Sequence, residues 1–232
     1  MVPAGTVTEL HRWPVKSMAG QPVAELAVDR RGGEGDREHA VFDVHKGAPR
    51  RLTAREAPRL LAWRAEYRED VAEPVLRAPG GAEWQWSDPA LPAALSADLG
   101  RDVSLHSDPR LQQDLPDSLL VTLQASLEAV SAELAAPLDL RRFRTNVHVA
   151  LDAAPFAEEE WEGRRLAVGD AELELLHPCQ RCAIPTRDPE TQAKWALLLR
   201  HLTDNHSCRF GINARAAEPS TIRVGDRVEL RP

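Results

Sequence analysis

The stretch VGDAELELLHPCQRCAIP, residues 168–185, sets apolar against charged residues after a Gly-Asp pair and then places two cysteines three positions apart. It reads as strand, tight turn and strand running into a Cys-x-x-Cys pair. Such a pair serves a redox couple, half a zinc site, a ligand for another soft metal, or two small buried hydrophobes. Its strand-rich surroundings make the chain β-rich.

Composition bounds the setting. A chain of 232 residues with 43% hydrophobic and 28% charged side chains has enough apolar material for a sizeable core, which excludes disorder. Three cysteines cannot close a paired disulfide framework, and MVPAGTVTELHRWPVKS has no basic-then-apolar leader pattern. The expectation is a cytoplasmic protein with reduced thiols. No run approaches the roughly 18–20 apolar residues of a membrane span. A net charge of −7 argues against a nucleic-acid partner, although a local basic pocket can exist within an acidic protein.

The first half is punctuated as short strands: AELAVD, HAVFDV, LAWRAEY, PVLRAP, AEWQW and DVSLHS, with APGGAE as a hairpin turn. Two helices are expected later. QASLEAVSAELA carries Leu127, Val130 and Leu134 at helical spacing, and DPETQAKWALLLRHL offers Asp188 as N-cap and Pro189 as first helical residue. VGDAELEL and the later VGDRVEL read as two hairpins. The division predicted is 1–110 and 111–232, within the polar and proline-bearing 106–118. The six tryptophans read as core or interface rather than substrate clamps.

Zinc would need His177, His201, His206 or Cys208 beside Cys179 and Cys182, without the tight second pair of a zinc finger. A thioredoxin-like dithiol needs a βαβ context that is not present.

Further segments accompany the cysteines: WPVKSMAG (13–20), GDREHAVFD (35–43), RLTAREAPRL (51–60), RRFRTNV (141–147) and the closing TIRVGDRVEL. Together with PCQRC they resemble the MOSC family, in its two-part form with an N-terminal MOSC-associated β domain, as in the amidoxime-reducing branch. The resemblance implies a β-rich α+β fold, a MOSC-type β-barrel with peripheral helices plus an N-terminal β-barrel-like domain. It implies the molybdenum cofactor (Mo-molybdopterin), with Cys182 as the metal's thiolate ligand. Lys16, Ser17, Arg37, Thr53, Arg55, Arg144 and Asn146 match the cofactor cradle, where guanidinium forks, an ammonium and neutral donors suit a phosphate and a pterin edge. Cys179 is expected to be a packing residue.

The implied activity is reduction of small N-hydroxylated substrates: amidoximes, hydroxylamines and N-hydroxylated bases. Electrons would come from a separate electron-donor protein, since no Rossmann, flavin or haem-attachment motif is present. The rival implication is a non-catalytic cofactor binder, or a sulfur carrier using a Cys182 persulfide. Two positions depart from the family pattern: Thr145 stands where many relatives have proline, and Gln192 where many have glycine.

Overall fold

The computed structural model describes residues 4–108 and 119–232. The predicted division at 110/111 lies outside them. The first half runs through β1 (Ala4–Arg12), β2 (Gln21–Val23), β3 (Glu25–Asp29), β4 (Gly32–Gly33), β5 (His39–His45), β6 (Ala48–Arg51), β7 (Arg64–Arg68), β8 (Val71–Arg77), β9 (Glu83–Gln85), helix α1 (Leu91–Leu99) and β10 (Val103–Ser107). The second contains β11 (Leu119–Leu123), α2 (Gln124–Glu133), β12 (Val147–Leu151), β13 (Arg165–Val168), β14 (Ala171–Gln180), α3 (Ala196–His206), β15 (Arg209–Ala216), β16 (Ser220–Arg223) and β17 (Arg227–Arg231). The expected β-rich architecture with peripheral helices is therefore observed.

Seven strands close into a barrel in the order β12-β11-β15-β14-β13-β17-β1, with β1 pairing back onto β12 and carrying β2 at its far end. Alternation explains what faces inward. Ala171, Leu173 and Leu175 of β14 are buried while Glu172 and Glu174 between them are half-exposed, so one face of the strand fills the barrel and the other meets water. Leu119, Val121 and Leu123 join that core from β11, and Val147, Val149 and Leu151 from β12. The first half contributes Val7 and Leu10 of β1 and Leu26 and Val28 of β3, and β3 in turn pairs with β16. The two halves are thus interleaved at the barrel.

A second core lies among the β10-β5-β6 and β7-β8-β9 sheets, where Met18, Leu52, Leu60, Trp63, Leu76, Leu91 and Leu95 are buried. A third packs Val130 of α2 and Leu198 and Leu202 of α3 on Phe143 and Phe210. Trp13, Trp63, Trp86 and Trp161 are buried, and Trp84 and Trp195 half-buried, in keeping with their core reading.

The APGGAE turn joins β8 to β9 as expected, and the Gly-Asp turn at 169–170 joins β13 to β14. Its later echo is not a hairpin. β16 pairs with β3 and β17 with β1 and β13, so VGDRVEL carries the chain from one sheet to another. Asp188 does not cap a helix: its Oδ1 accepts from the backbone N–H groups of Glu190 and Thr191, closing a local turn, and α3 begins only at Ala196. Of LAWRAEY (61–67) only the part from Arg64 on is strand, because Pro58–Ala62 forms a 3-10 turn that buries Leu60. Helix α1 adds a third helix to the two expected, and Leu91 and Leu95 at helical spacing with left-handed Gly100 mark it.

Two outcomes follow from this packing. A Cβ at Gly5 would lie 1.8 Å from the Ala150 carbonyl oxygen across the β1–β12 seam, so Gly5→Ala is expected to cost about 1–3 kcal/mol, read as a lower urea midpoint. Burial pushes the His39 and His148 imidazoles down to about 4. The unfolded chain therefore binds more protons than the fold between about pH 6.5 and 4, and stability falls as pH drops through that window. Urea titrations across it should show the fall, with a shallower slope in His148→Gln.

Candidate functional site

Where β1 ends, the chain turns away from the barrel toward the second core, and Val15 bridges to His39. That turn brings Lys16 and Ser17 to a cleft of about 490 Å³. Both are buried. Lys16 N–H donates to the His39 carbonyl at 2.8 Å, and Ser17 Oγ accepts from Ala54 N–H at 3.0 Å. The loop after β6 adds Thr53 and Arg55 to the lining. Thr53 hydroxyl and N–H both donate to the Glu56 carboxylate, and Ala57 N–H donates to the Thr53 carbonyl, so a closed turn presents Arg55 to solvent.

Arg37 and Arg144 tie the halves together along the cleft. Arg37 is ion-paired with buried Asp36 and donates to Asn146 Oδ1 at 3.3 Å and to the Arg144 carbonyl at 3.1 Å. Asp36 Oδ1 also accepts from Trp13 N–H at 2.8 Å. Arg144 donates to the Met18 carbonyl at 2.7 Å, and its guanidinium carbon lies 4.4 Å from the centre of the Trp13 ring. Fully buried Asn146 accepts from Leu120 N–H at 3.1 Å and donates to the His11 carbonyl at 3.2 Å. Ser17, Arg37 and Arg144 adopt φ of +70°, +56° and +56°. Each such residue costs about 1–3 kcal/mol, and three along one cleft mark a place where geometry outranks local comfort.

The cysteine stretch forms the opposite wall. Pairing between β14 and β15 slips between Pro178 and Gln180, and Cys179 sits at that irregularity. It is therefore a half-buried residue of the cleft lining and not a core packing residue. Its Sγ accepts from the Arg181 guanidinium at 3.0 Å, and Arg181 also donates to the Phe143 carbonyl at 2.7 Å. Cys208 Sγ donates to the Arg181 carbonyl at 3.2 Å. Cys182, half-buried and a free thiol, lines the same cleft.

All eight residues singled out from the sequence, Lys16, Ser17, Arg37, Thr53, Arg55, Arg144, Asn146 and Cys182, line this one cleft. Arg181 and Asn213, not singled out from the sequence, line it too, as does His177, which the sequence suggested only as a zinc ligand. Arg181 was visible only as the letter between two cysteines. Five basic side chains, Lys16, Arg37, Arg55, Arg144 and Arg181, and no carboxylate form the described lining, so the cleft is locally cationic in a chain of net charge −7.

His201 and His206, weighed earlier as zinc partners of the cysteines, instead meet Glu133 on the helical side. Thr145 is buried and hydrogen-bonded to Thr122, and its carbonyl accepts from Trp13 Nε1 at 2.9 Å. Gln192 takes φ +62°, the conformation that glycine would favour, and lines a neighbouring cleft of about 320 Å³ that shares Arg144 and Ile184 with the first. Among the described residues, no helix is long and apolar enough to cross a membrane.

The MOSC domain family model matches residues 109–229, and the model of the MOSC N-terminal beta barrel domain matches residues 4–108. Among curated proteins, mitochondrial amidoxime-reducing component 1 of Homo sapiens is 26% identical, with 97% of this chain and 83% of that protein covered. Mitochondrial amidoxime reducing component 2 of Homo sapiens gives the same identity and coverage. Among solved structures, the YUAD protein from Bacillus subtilis shares the fold with a TM-score of 0.53 at 16% identity, covering 99% of this chain and 98% of its own.

Asn146 is the buried joint of the cleft, and its loss is measurable. Asn146→Ala leaves the Leu120 N–H without its side-chain acceptor, which is expected to cost about 1–3 kcal/mol in urea unfolding. Arg55→Ala, at an exposed position, is expected to change stability by less than about 0.5 kcal/mol.

Proposed function

Because the chain belongs to the MOSC family and carries both its N-terminal barrel and its MOSC domain, we propose that it is a molybdenum-cofactor-dependent reductase of small N-hydroxylated compounds: amidoximes, hydroxylamines and N-hydroxylated bases. The observation that carries this reading is the gathering of free thiols and five cations, without a carboxylate, along one cleft. The relatives named for amidoxime reduction supply the substrate class, at 26% identity.

The residues present fit the cofactor. A volume of about 490 Å³ falls within the range of small-molecule sites, about 300–1,000 Å³. Arg181 Nε is buried and has no hydrogen-bond partner among the described residues, a donor that a bound anion would satisfy. Cys182 would ligate the metal as a thiolate, the form that soft ligation demands. Lys16, Arg55 and Arg181 would meet the terminal phosphate and the pterin's polar edge, with Ser17 and Thr53 as neutral hydrogen-bonding groups. Arg37, Arg144 and Asn146 hold the cleft's two sides at a fixed separation. When bound, the cofactor supplies oxygen-atom and two-electron chemistry.

Reduction of N–OH to N–H consumes two electrons and two protons and releases water. The electrons are assigned to a separate donor protein. His177 lines the cleft, with Asn213 Nδ2 at 3.4 Å from its Nδ1, and is the imidazole available there to pass a proton. The neighbouring cleft that shares Arg144 offers the substrate an approach, and Gln192 shapes its rim. A reducing compartment such as the cytoplasm suits the free thiols.

Protein made in a host that synthesises the cofactor should contain molybdenum and a pterin. With reduced viologen as donor, Cys182→Ser should abolish reduction of an amidoxime, and Cys179→Ser should retain part of it. Arg55→Ala should lower cofactor affinity by roughly one to two decades, the worth of a charge-assisted contact. Absence of both metal and pterin would overturn the reading. Transfer of labelled sulfur from a desulfurase to Cys182, without turnover, would favour the sulfur carrier instead.

A further inference from the structure

Outside the cleft, one cluster brings three metal-ligating side chains together. Glu133 is the last residue of α2, His201 lies within α3, and His206 ends α3. Glu133 Oε2 lies 2.7 Å from His201 Nε2 and 2.8 Å from His206 Nε2. The three ligand atoms all fall within 4.8 Å of one another. The imidazoles are mostly covered, with 16% and 13% of their side-chain surface exposed, while the carboxylate keeps 38%. The His206 ring is held in place by Phe156, stacked at 3.8 Å between ring centres and 15° between planes.

We infer that Glu133, His201 and His206 form a binding site for one divalent transition ion of the zinc class, distinct from the cleft and independent of its cofactor. The donor set selects the ion. Two imidazole nitrogens and one carboxylate oxygen suit zinc, cobalt or nickel, whereas magnesium and calcium prefer oxygen ligands alone.

The spacing is close to what coordination needs. Bonds of about 2.0–2.1 Å in a tetrahedron separate ligand atoms by about 3.3–3.4 Å. Each His–Glu contact must therefore open by roughly 0.6 Å, which the exposed Glu133 side chain allows, and the two imidazole nitrogens, within 4.8 Å of each other, must meet the same separation. Three protein ligands leave the fourth position to water.

Binding at Nε2 moves each imidazole proton to Nδ1. For His201 that atom lies 3.2 Å from Asn205 Nδ2, which also donates to the His201 carbonyl at 3.0 Å, so accepting the proton with the amide oxygen means giving up that bond. The two hydrogen bonds to the carboxylate give way to three metal bonds.

The site sits behind one wall of the cleft. His206 stacks on Phe156, Phe156 meets Phe210 edge-on at 6.3 Å, and Phe210 stacks on Phe143 at 3.8 Å. The Phe143 carbonyl in turn holds Arg181. An ion that clamps α2 to α3 therefore stiffens the aromatic column supporting the Arg181 side of the cleft.

The test is zinc titration calorimetry on the purified full chain, stripped with chelator, together with thermal melts and cobalt(II) absorption. One zinc per chain is expected, with a melting temperature that rises on zinc addition in both the wild type and Cys179→Ser/Cys182→Ser. Losing a direct ligand should cost at least the roughly 10- to 100-fold that losing an outer hydrogen-bond partner does, so Glu133→Gln should bind at least that much more weakly. His201→Asn/His206→Asn should lose the site, with a melting temperature that zinc no longer raises. The cobalt spectrum should lack thiolate charge-transfer absorption. Zinc uptake by the double histidine variant equal to the wild type, a thiolate band, or no uptake by the wild type would each overturn the assignment. Magnesium in place of zinc should leave the melt unchanged, and an equal response to it would also overturn the zinc-class assignment.

Discussion

Closure of the barrel by β1 is the constraint on which the rest of the molecule depends. Its residues Gly5 to Leu10 pair with β12 on one side, and Ala4 to Thr6 pair with β17 on the other, so the strand completes a ring that the second half leaves open. The end of β1 then fixes where Trp13, Lys16 and Ser17 can be. Trp13 hydrogen-bonds to Asp36 and to the Thr145 carbonyl and lies under the Arg144 guanidinium, so the exit of this strand sets both sides of the cleft. A closed ring of hydrogen-bonded strands leaves little freedom for such an exit to wander.

Around that exit, charge is handled by burial and pairing. Asp36 is fully buried yet satisfied by the Trp13 N–H and by Arg37, which keeps a carboxylate behind the cleft while the cations face it. The overall charge of the chain says nothing of this, because a cavity responds to the groups that line it. The left-handed backbone at Ser17, Arg37 and Arg144 belongs to the same pattern: the loops accept strain so that their side chains and carbonyls meet across the two halves.

What could be read from the sequence follows the range of the interactions involved. The alternation of Ala171, Leu173 and Leu175, the glycine turn before β9 and the helical spacing of Leu127, Val130 and Leu134 are local signals, and the structure agrees with them. Asp188 misled because an aspartate that caps a helix and one that closes a turn offer the same oxygen to nearby N–H groups. The second Gly-Asp turn misled because strand partners are chosen by distant residues: β16 finds β3, and no local pattern names that partner. The cleft residues were gathered by resemblance across five separate segments, and the structure brings them to one place. Arg181 escaped because its role depends on the Phe143 carbonyl and the Cys179 sulfur, contacts that spacing cannot announce.

The ring has a directional consequence for biosynthesis. On a ribosome β1 is made before the other described strands, whereas its partners β12 and β17 are the twelfth and the last of them, Gly5 pairing with both Leu151 and Val228. Leu10 to Arg12 can pair with β2 at once, but the stretch from Ala4 to Thr6 must wait for β17 while nearly the whole chain is translated. The apolar core around Trp63 and Leu76 draws only on residues up to Leu105 and can condense meanwhile. Val15 and Met18, just after β1, are buried in that core, which fixes the end of β1 beside the place where β12 and β17 meet it.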